Sequence, residues 1–396
     1  MPQPYANKKI LLGVCGGVAA YKSVELARLL KQMGAQVQVV MTESAQDFVG
    51  PQTFQAVTGF PVTQATNDAS FAQSMAHIDL SRWADMLIIA PATANFMAKM
   101  AHGMADDLLS LLCLMVKGPI LVCPAMNVHM WQHPATQHNT MLLKERGVVI
   151  VGPEEGEQAC GDVGAGRMRE PQWIVNAIDL WSIADIFRGT RFVLTAGPTR
   201  ERIDPIRFIS NKSSGLMGYA LAEALAFAGA EVVLVTGPCA CPIPPGVRAH
   251  WVETAEDMYQ KVLKLLTPED FFIGVAAVSD FKLREPALQK IKKQNRTHLT
   301  LDLELSKDIL LSIKQQQLAK KVIGFAAETE NLLEYARQKL EKKADMIIAN
   351  DVSGKLGFES VDNTVTIVTP KSEVHFPAAR KILIAKQIVE FLKQEL

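Results

Sequence analysis

An α/β fold of two successive domains, each built on a largely parallel sheet, is predicted by three features of the sequence. The chain has 396 residues, too many for one ordinary core and suited to two domains of roughly 200. Short apolar runs alternate with helix-length amphipathic segments, the pattern of strands covered by helices on both faces. That pattern stops at a short polar break, Arg188-Gly189-Thr190, and then starts again. The domains are therefore expected at 1–188 and 190–396.

In the first half, Lys9–Val14, Ala35–Met41, Met86–Ala90, Pro119–Cys123 and Val148–Val151 read as strands, and Ala19–Met33 and Ala135–Arg146 as helices between them. A glycine-rich loop is expected from Gly152 to Gly166. Pro171 then opens a final helix, Gln172–Phe187, where its missing N–H costs least. In the second half, Phe192–Thr195, the helix Leu216–Ala228 and Glu231–Val235 repeat the strand–helix–strand theme. Phe271–Ala276, Val322–Ala326 and Asp345–Ala349 supply further strands, and Thr364–Val368 with Glu373–His375 a closing hairpin.

Composition narrows the function. Apolar residues make up 48% and charged residues 21%, as in soluble globular proteins. Lys plus Arg and Asp plus Glu are 41 each, so no global field favours nucleic acid or an anionic membrane. An anionic ligand must be caught by local geometry. No apolar run has the length of a signal peptide or a membrane span, and a cytoplasmic protein is expected. The six cysteines, at 15, 113, 123, 160, 239 and 241, form neither a disulfide framework nor a zinc site.

Gly13-Val14-Cys15-Gly16-Gly17-Val18 lies where the first strand turns into the first helix, and glycines at a helix N-terminus let a phosphate approach. The spacing is not the G-x-G-x-x-G of a dinucleotide fold, which opposes an NAD-dependent oxidoreductase and favours a mononucleotide. Thr42 and Ser44 follow the second strand, and Thr93 and Asn95 the third. Ligands bind at such strand ends, although each of these residues also reads as a helix cap. His77 precedes a strand, Asn127 follows one, and Cys160 sits in the glycine-rich loop, where a thiol is placed to be reached. Such a loop reads as a lid.

Together GGVAAYK, HIDLSRWADMLIIAPATAN, ADDLLS, PAMN followed by MW, and ACGDVGAGRM resemble the flavoprotein decarboxylases acting on phosphopantothenoylcysteine. The resemblance implies a flavodoxin-like domain binding FMN through Gly16, Gly17, Val18, Thr42, Ser44, Thr93 and Asn95. It makes His77 catalytic, Asn127 the holder of the substrate carboxylate and Cys160 the acid that protonates an enethiol intermediate. The net reaction is redox-neutral, with the electrons carried by the cofactor.

In the second half, Thr195–Glu201 and Asn211–Gly215 are donor-rich loops at strand ends, the second entering a helix. They read as a nucleotide-phosphate cradle or as plain turns and caps. Asp280 ends a strand and is followed by the basic run Lys290-Ile291-Lys292-Lys293, a solvated face or a partner for triphosphate and divalent cation. No P-loop signature occurs. TAGPTRE, DPIRFISNKSSGLMG, AAVSDF, KIKK and GFAAETE followed by YARQK resemble the bacterial, CTP-using phosphopantothenoylcysteine synthetases. This resemblance implies a Rossmann-like ligase domain. Asp280, Lys290, Phe325, Lys339 and Lys343 would bind CTP, with Ser306, Lys307, Asp308 and Ile309 beside them and Asp280 serving Mg2+. Asn211 would handle the acyl-cytidylate. Lys339 and Lys343, four apart, share a helix face. Arg202 and Leu216 stand where a proline and a basic residue are usual, and Ser306-Lys307-Asp308-Ile309 replaces Asn-Pro-Asp-Ile.

The resemblance thus implies ligation of 4′-phosphopantothenate to cysteine at the cost of CTP, then decarboxylation to 4′-phosphopantetheine. It also implies homo-oligomers, trimeric through the flavin domains and dimeric through the ligase domains. The alternative is a regulatory flavin-binding subunit, opposed by the joint presence of His77, Asn127 and Cys160.

Overall fold

The computed structural model describes residues 4–65, 71–293, 298–328, 331–351, 360 and 362–396. Thr329 and Glu330, the end of the GFAAETE segment, lie outside the described residues. The chain divides into two compact units, Met1–Trp181 and Ser182–Leu396.

The first unit runs β1 (Lys9–Val14), α1 (Ala20–Gln32), β2 (Gln36–Thr42), α2 (Pro51–Thr58), β3 (Thr63–Ala65), α3 (Phe71–Trp83), β4 (Met86–Ala92), α4 (Ala94–His102), α5 (Leu108–Met115), β5 (Ile120–Pro124), α6 (Val128–Gln132), α7 (Pro134–Glu145), β6 (Val149–Ile150), β7 (Glu154–Glu157), β8 (Val163–Arg167) and α8 (Pro171–Leu180). Its sheet is ordered β3-β2-β1-β4-β5-β6 and is parallel throughout. Without the short edge strand β3 this is the flavodoxin-like order, and the strand order reverses between β1 and β4, where ligands of such sheets bind. Every residue of β4 is buried, because a central parallel strand has helices against both faces. Leu11, Leu87, Ile89, Phe96, Met97 and Leu109 belong to the core on one of these faces.

The expected strands and the helices Ala19–Met33 and Ala135–Arg146 of this unit form within one or two residues of their predicted ends, but the last helix, expected at Gln172–Phe187, ends as α8 at Leu180. The glycine-rich stretch differs. Instead of an open loop, β7 and β8 pair as an antiparallel ribbon. Tertiary contacts hold it: the Met126 N–H donates to the Gly166 carbonyl at 3.0 Å, and the Val128 N–H donates to Gln158 Oε1 at 3.1 Å.

The second unit runs β9 (Arg191–Ala196), β10 (Arg200–Arg202), β11 (Phe208–Ser210), α9 (Leu216–Phe227), β12 (Glu231–Thr236), β13 (Val247–Trp251), α10 (Ala255–Leu265), β14 (Phe271–Gly274), β15 (Phe281–Leu283), β16 (Leu303–Leu305), α11 (Ile309–Gln316), β17 (Lys321–Glu328), α12 (Leu332–Lys343), β18 (Met346–Asp351), β19 (Asp362–Val368), β20 (Glu373–Arg380) and α13 (Lys381–Glu395). The sheet order is β13-β12-β9-β14-β17-β18-β19-β20. The first six strands are parallel; β19 and β20 close the edge antiparallel, as the predicted hairpin requires. Val193, Val233, Val235, Phe272 and Ile313 form a core against α10 and α11. Among the described residues no helix is long and apolar enough to cross a membrane.

Candidate functional site

In the first unit the loop after β1 is drawn tightly onto the end of β2. A Cβ at Gly16 would lie 2.5 Å from Ser44 Oγ, whereas one at Gly17 would meet nothing within 4 Å. Gly16 therefore allows a close approach and Gly17 leaves a face open. Thr42 Oγ1 donates to the Val14 carbonyl at 3.5 Å and lies 3.3 Å from Ser44 Oγ. The N-terminus of α1 above this loop has no side-chain cap and no acidic residue in its first turn. Its positive end is uncompensated, which fits a phosphate. Val18 is 64% exposed beside it. Thr93 caps α4, accepting from the Phe96 N–H at 3.1 Å, and Asn95 is exposed on its first turn.

Asn127 and Cys160, 33 residues apart, are brought together. Asn127 caps α6 by accepting from the His129 N–H at 2.9 Å. Its amide donates to Asp162 Oδ2 at 2.7 Å and to Cys160 Sγ at 3.4 Å. The Cys160 thiol donates to the same Asp162 oxygen at 3.3 Å. Cys160 is exposed at the tip of the β7–β8 ribbon, in a turn closed by Gln158 N–H to Asp162 O at 2.8 Å. Gly161 there has φ +89°, a conformation glycine adopts without penalty. The amide of Asn127 first, then the thiol, hold the Asp162 carboxyl below the usual carboxylate range, with a smaller contribution from His129. Sequence reasoning missed Asp162; its one local signal is a carboxylate two residues after the thiol. His77 lies half-buried in α3. Among the described residues no hydrogen bond joins it to Asn127, Cys160 or Asp162.

In the second unit the Asn211 amide donates to the carbonyls of Ala277 and Val278, both at 3.1 Å, so the 211–215 loop is tied to the end of β14. Asp280 is exposed, and its carbonyl accepts from the Ser306 N–H at 2.8 Å. Asp308 caps α11 and pairs with Lys343 Nζ at 2.7 Å. Two predicted nucleotide residues are thus joined across α11 and α12. Lys307 instead pairs with Glu256 at 2.8 Å and lies 4.9 Å over the Tyr259 ring. Ile309 is buried in the core. Lys339 lies one turn before Lys343 on α12.

Lys290 lines a cavity of about 690 Å³ with Arg207, Lys292, Lys293 and His298. The buried Asp204 organises this wall. It accepts from the N–H groups of Ile206, Arg207 and Ile291 at 2.9, 2.8 and 3.1 Å, and from the Arg207 guanidinium. That guanidinium, above all, holds the Asp204 carboxyl far below its ordinary range.

Phe325 lines a different and narrower cavity, about 60 Å³, with Ser213, Gly215, Asn350, Asn363 and Lys381. The α9 N-terminus carries no side-chain cap and opens into it. Asn363 is fully buried. Among the described residues its Nδ2 and the Oδ1 of Asn350 have no partner, whereas buried polar atoms are normally paired with protein, water or ligand. Lys381 is also buried, and burial lowers its ammonium pKa. Nothing in the sequence around Asn350, Asn363 or Lys381 marked them, because only the fold carries the last strands and α13 back to α9.

A family model described as "Flavoprotein" matches residues 1–182, and one described as "DNA/pantothenate metabolism flavoprotein C-terminal domain" matches residues 187–396. The chain is 45% identical over 392 residues to the coenzyme A biosynthesis bifunctional protein CoaBC of Vibrio vulnificus strain YJ016, which covers 98% of each chain. To the protein of the same name from Escherichia coli strain K12 it is 45% identical over 391 residues, 97% of this chain and 96% of the relative. For that of Bacillus subtilis strain 168 the identity is 44% over 367 residues, 91% and 90%. With both halves matched in order and the relatives matched over almost their full length, the chain belongs to the family of coenzyme A biosynthesis bifunctional proteins, a flavoprotein decarboxylase half followed by a ligase half.

Proposed function

We propose that the ligase half joins 4′-phosphopantothenate to cysteine through an acyl-cytidylate made from CTP with Mg2+, and that the flavoprotein half decarboxylates the product to 4′-phosphopantetheine with FMN. The observation that carries this reading is the Asn127–Asp162–Cys160 cluster, an amide donor and a thiol donor converging at the end of β5. The Asn127 amide is suited to a substrate carboxylate, and the Cys160 thiol to delivering a proton. FMN, when bound, supplies the two-electron chemistry. Its phosphate belongs at the uncapped α1 N-terminus beside Gly16, Gly17 and Val18, with Thr42, Ser44, Thr93 and Asn95 available to its ribityl chain and ring. His77, on α3, completes the catalytic set, in a site that protomers of the proposed trimer would share.

In the ligase half, Asp280 offers one carboxylate to Mg2+, which needs few protein ligands when phosphates supply the rest. Lys290, Lys339 and Lys343, with the 306–309 loop and Phe325, surround the nucleotide, and Asn211 faces the acyl-cytidylate. The narrow cavity at α9 is the seat of a compact anionic end of the acid substrate. Lys381 and the Asn363 amide there replace the basic residue that Leu216 does not provide. Dimers of ligase halves and trimers of flavin halves are the proposed assembly.

The test is a single incubation of purified protein with 4′-phosphopantothenate, cysteine, CTP and Mg2+. The expected result is CMP and 4′-phosphopantetheine in equal amounts from a protein with a flavin absorbance spectrum. Absence of CMP would sink the ligase reading, and accumulation of phosphopantothenoylcysteine would sink the decarboxylase one.

A further inference from the structure

Cys239 and Cys241 stand one residue apart in the loop after β12, and neither half-reaction uses them. Of the other four thiols, Cys15, Cys113 and Cys123 are raised far above the ordinary range by burial, which makes them unreactive. Cys160 belongs to the site already described. The pair at 239 and 241 differs from all of these, being half-exposed and separated by a single residue.

Their surroundings are specific. The Cys241 thiol donates to the Ser214 carbonyl at 3.3 Å. Cys239 Sγ lies 3.9 Å from Thr236 Oγ1, whose hydroxyl is 3.1 Å from that of the buried Tyr219. Hydrogen bonds from Cys241, then Tyr219, favour the Cys239 thiolate against the penalty of burial, whereas the hydrogen bond to Cys239 and burial push the Cys241 thiol up. Cys239, which lines an open cavity, is the sulfur placed to attack, and Cys241, whose thiol donates to the Ser214 carbonyl, is its resolving partner. Cys239 lines an open cavity of about 1000 Å³ with Arg200, Glu253, Asp257, Lys261 and Lys264, so a small charged disulfide can reach it. Two chain steps span at most ~7 Å, close to the ~4.4–6.8 Å between Cα atoms that a disulfide needs.

We propose that Cys239 and Cys241 form a reversible dithiol–disulfide site that reacts with low-molecular-weight disulfides and thereby governs the ligase half. The Cys239 thiolate attacks one sulfur of RS–SR, forming a Cys239 Sγ–SR bond and expelling RS⁻. Cys241 Sγ then attacks Cys239 Sγ, expelling the second RS⁻, while the Cys241 proton passes to an expelled thiolate. The two protein thiols lose two electrons and the small disulfide gains them. A ring this short is strained, which makes such a disulfide easily reduced.

The loop 213–215 feels the change directly. Oxidation removes the S–H that the Ser214 carbonyl accepts. It also moves a sulfur that a Cβ at Gly215 would approach to 3.2 Å. Ser213 and Gly215 line the narrow cavity at α9 together with Lys381. Oxidation thus disorganises the proposed acid-substrate pocket; this part rests on the ligase reading above.

The full-length flavin-loaded protein is treated with increasing oxidised glutathione, alkylated, digested and analysed by mass spectrometry. Cys239 and Cys241 are expected to lose alkylation together, carry no glutathione, and recover with dithiothreitol. Cys241→Ser is expected to retain one glutathione on Cys239. A 239–241 peptide still doubly alkylated when the exposed Cys160 has already reacted overturns the proposal, as does a stable glutathione adduct on the native pair. In parallel, CMP release from CTP should fall at least tenfold on oxidation and recover on reduction in the native protein, and stay unchanged in Cys239→Ser. A disulfide that forms without slowing CMP release overturns the control function. Absence of CMP release even from reduced protein would count against the ligase reading, while the mass measurement still decides the thiol chemistry.

Discussion

Asp162 lies between the two side chains that matter most in the flavoprotein half, accepting from Asn127 at 2.7 Å and from the Cys160 thiol at 3.3 Å. A thiol held as a donor is oriented to deliver its proton, and loss of a general acid costs about 10²–10⁴ in rate. Cys160→Ser should therefore keep its flavin spectrum and still release CO2, but stall afterwards. Mass spectrometry should find a product about two mass units lighter than 4′-phosphopantetheine, the difference of one hydride and one proton. His77→Asn should instead block CO2 release itself. Normal 4′-phosphopantetheine from the serine variant would leave Cys160 without a part in the chemistry. A second residue-scale outcome concerns Asn363, whose buried amide has an unused donor. Asn363→Leu removes that donor at nearly constant volume, but also the Oδ1 that accepts from the Thr364 N–H at 3.0 Å, so stability should fall by about 1–3 kcal/mol. The kcat/KM for 4′-phosphopantothenate should drop at least tenfold, about 1.4 kcal/mol, with KM for CTP unchanged. An unaltered kcat/KM would show that the cavity is only a packing defect. Asn127 and Cys160 were legible in the sequence because their segments carry the family resemblance. Asp162, Asn363 and Lys381 were not, since burial and orphaned atoms are properties of the packed chain.

Elements were read well where the periodicity was long. The central strands of both sheets are buried on both faces, so their apolar runs are unbroken and bounded by helices. The strands β10, β11, β15 and β16 have three residues each, too few to show a period. The β7–β8 ribbon escaped for another reason. Its Glu-Glu-Gly-Glu and Val-Gly-Ala-Gly-Arg sequences are poor in strand-forming residues, and it is docked from outside by Met126 and Val128. The strap from β10 to Lys290 is held the same way, by one buried carboxylate. Asp204 has a folded-state pKa depressed by Arg207. A carboxyl of that kind contributes stability above its unfolded value of ~3.9, and that stability is lost as pH falls toward the folded value. Asp204→Asn should accordingly lower the urea midpoint of the ligase half at neutral pH. The gap to the native protein should narrow as pH falls from about 5 to about 3. A gap independent of pH would mean that the backbone hydrogen bonds, and not the charge, hold the strap.

At the scale of the whole chain, each unit has its own sheet, core and candidate site, which predicts that the halves work when separated. Where the cut falls should decide how well. Sequence reading puts the break at Arg188–Thr190, whereas the compact units meet between Trp181 and Ser182. The residues between these positions pack with the ligase half. Phe187 is 4% exposed, its ring lies 5.2 Å from that of Phe192, and its N–H donates to the Ala228 carbonyl at 2.7 Å. Lys393 of α13 covers the same ring at 5.5 Å, and Ile183 is buried. Removing a buried phenylalanine costs about 3–5 kcal/mol, and in a unit of about 200 residues each kcal/mol shifts the melting temperature by about 2–4 °C. A fragment 182–396 should therefore melt on the order of 10 °C above a fragment 190–396. Both should be colourless and release CMP from CTP when given 4′-phosphopantothenate and cysteine, while 1–181 should bind flavin and decarboxylate supplied phosphopantothenoylcysteine. Calorimetry of the two ligase fragments measures the difference directly. Equal melting temperatures would mean that residues 182–189 contribute nothing to the ligase core. Failure of every fragment to fold, with the intact chain stable, would show that the two halves depend on each other.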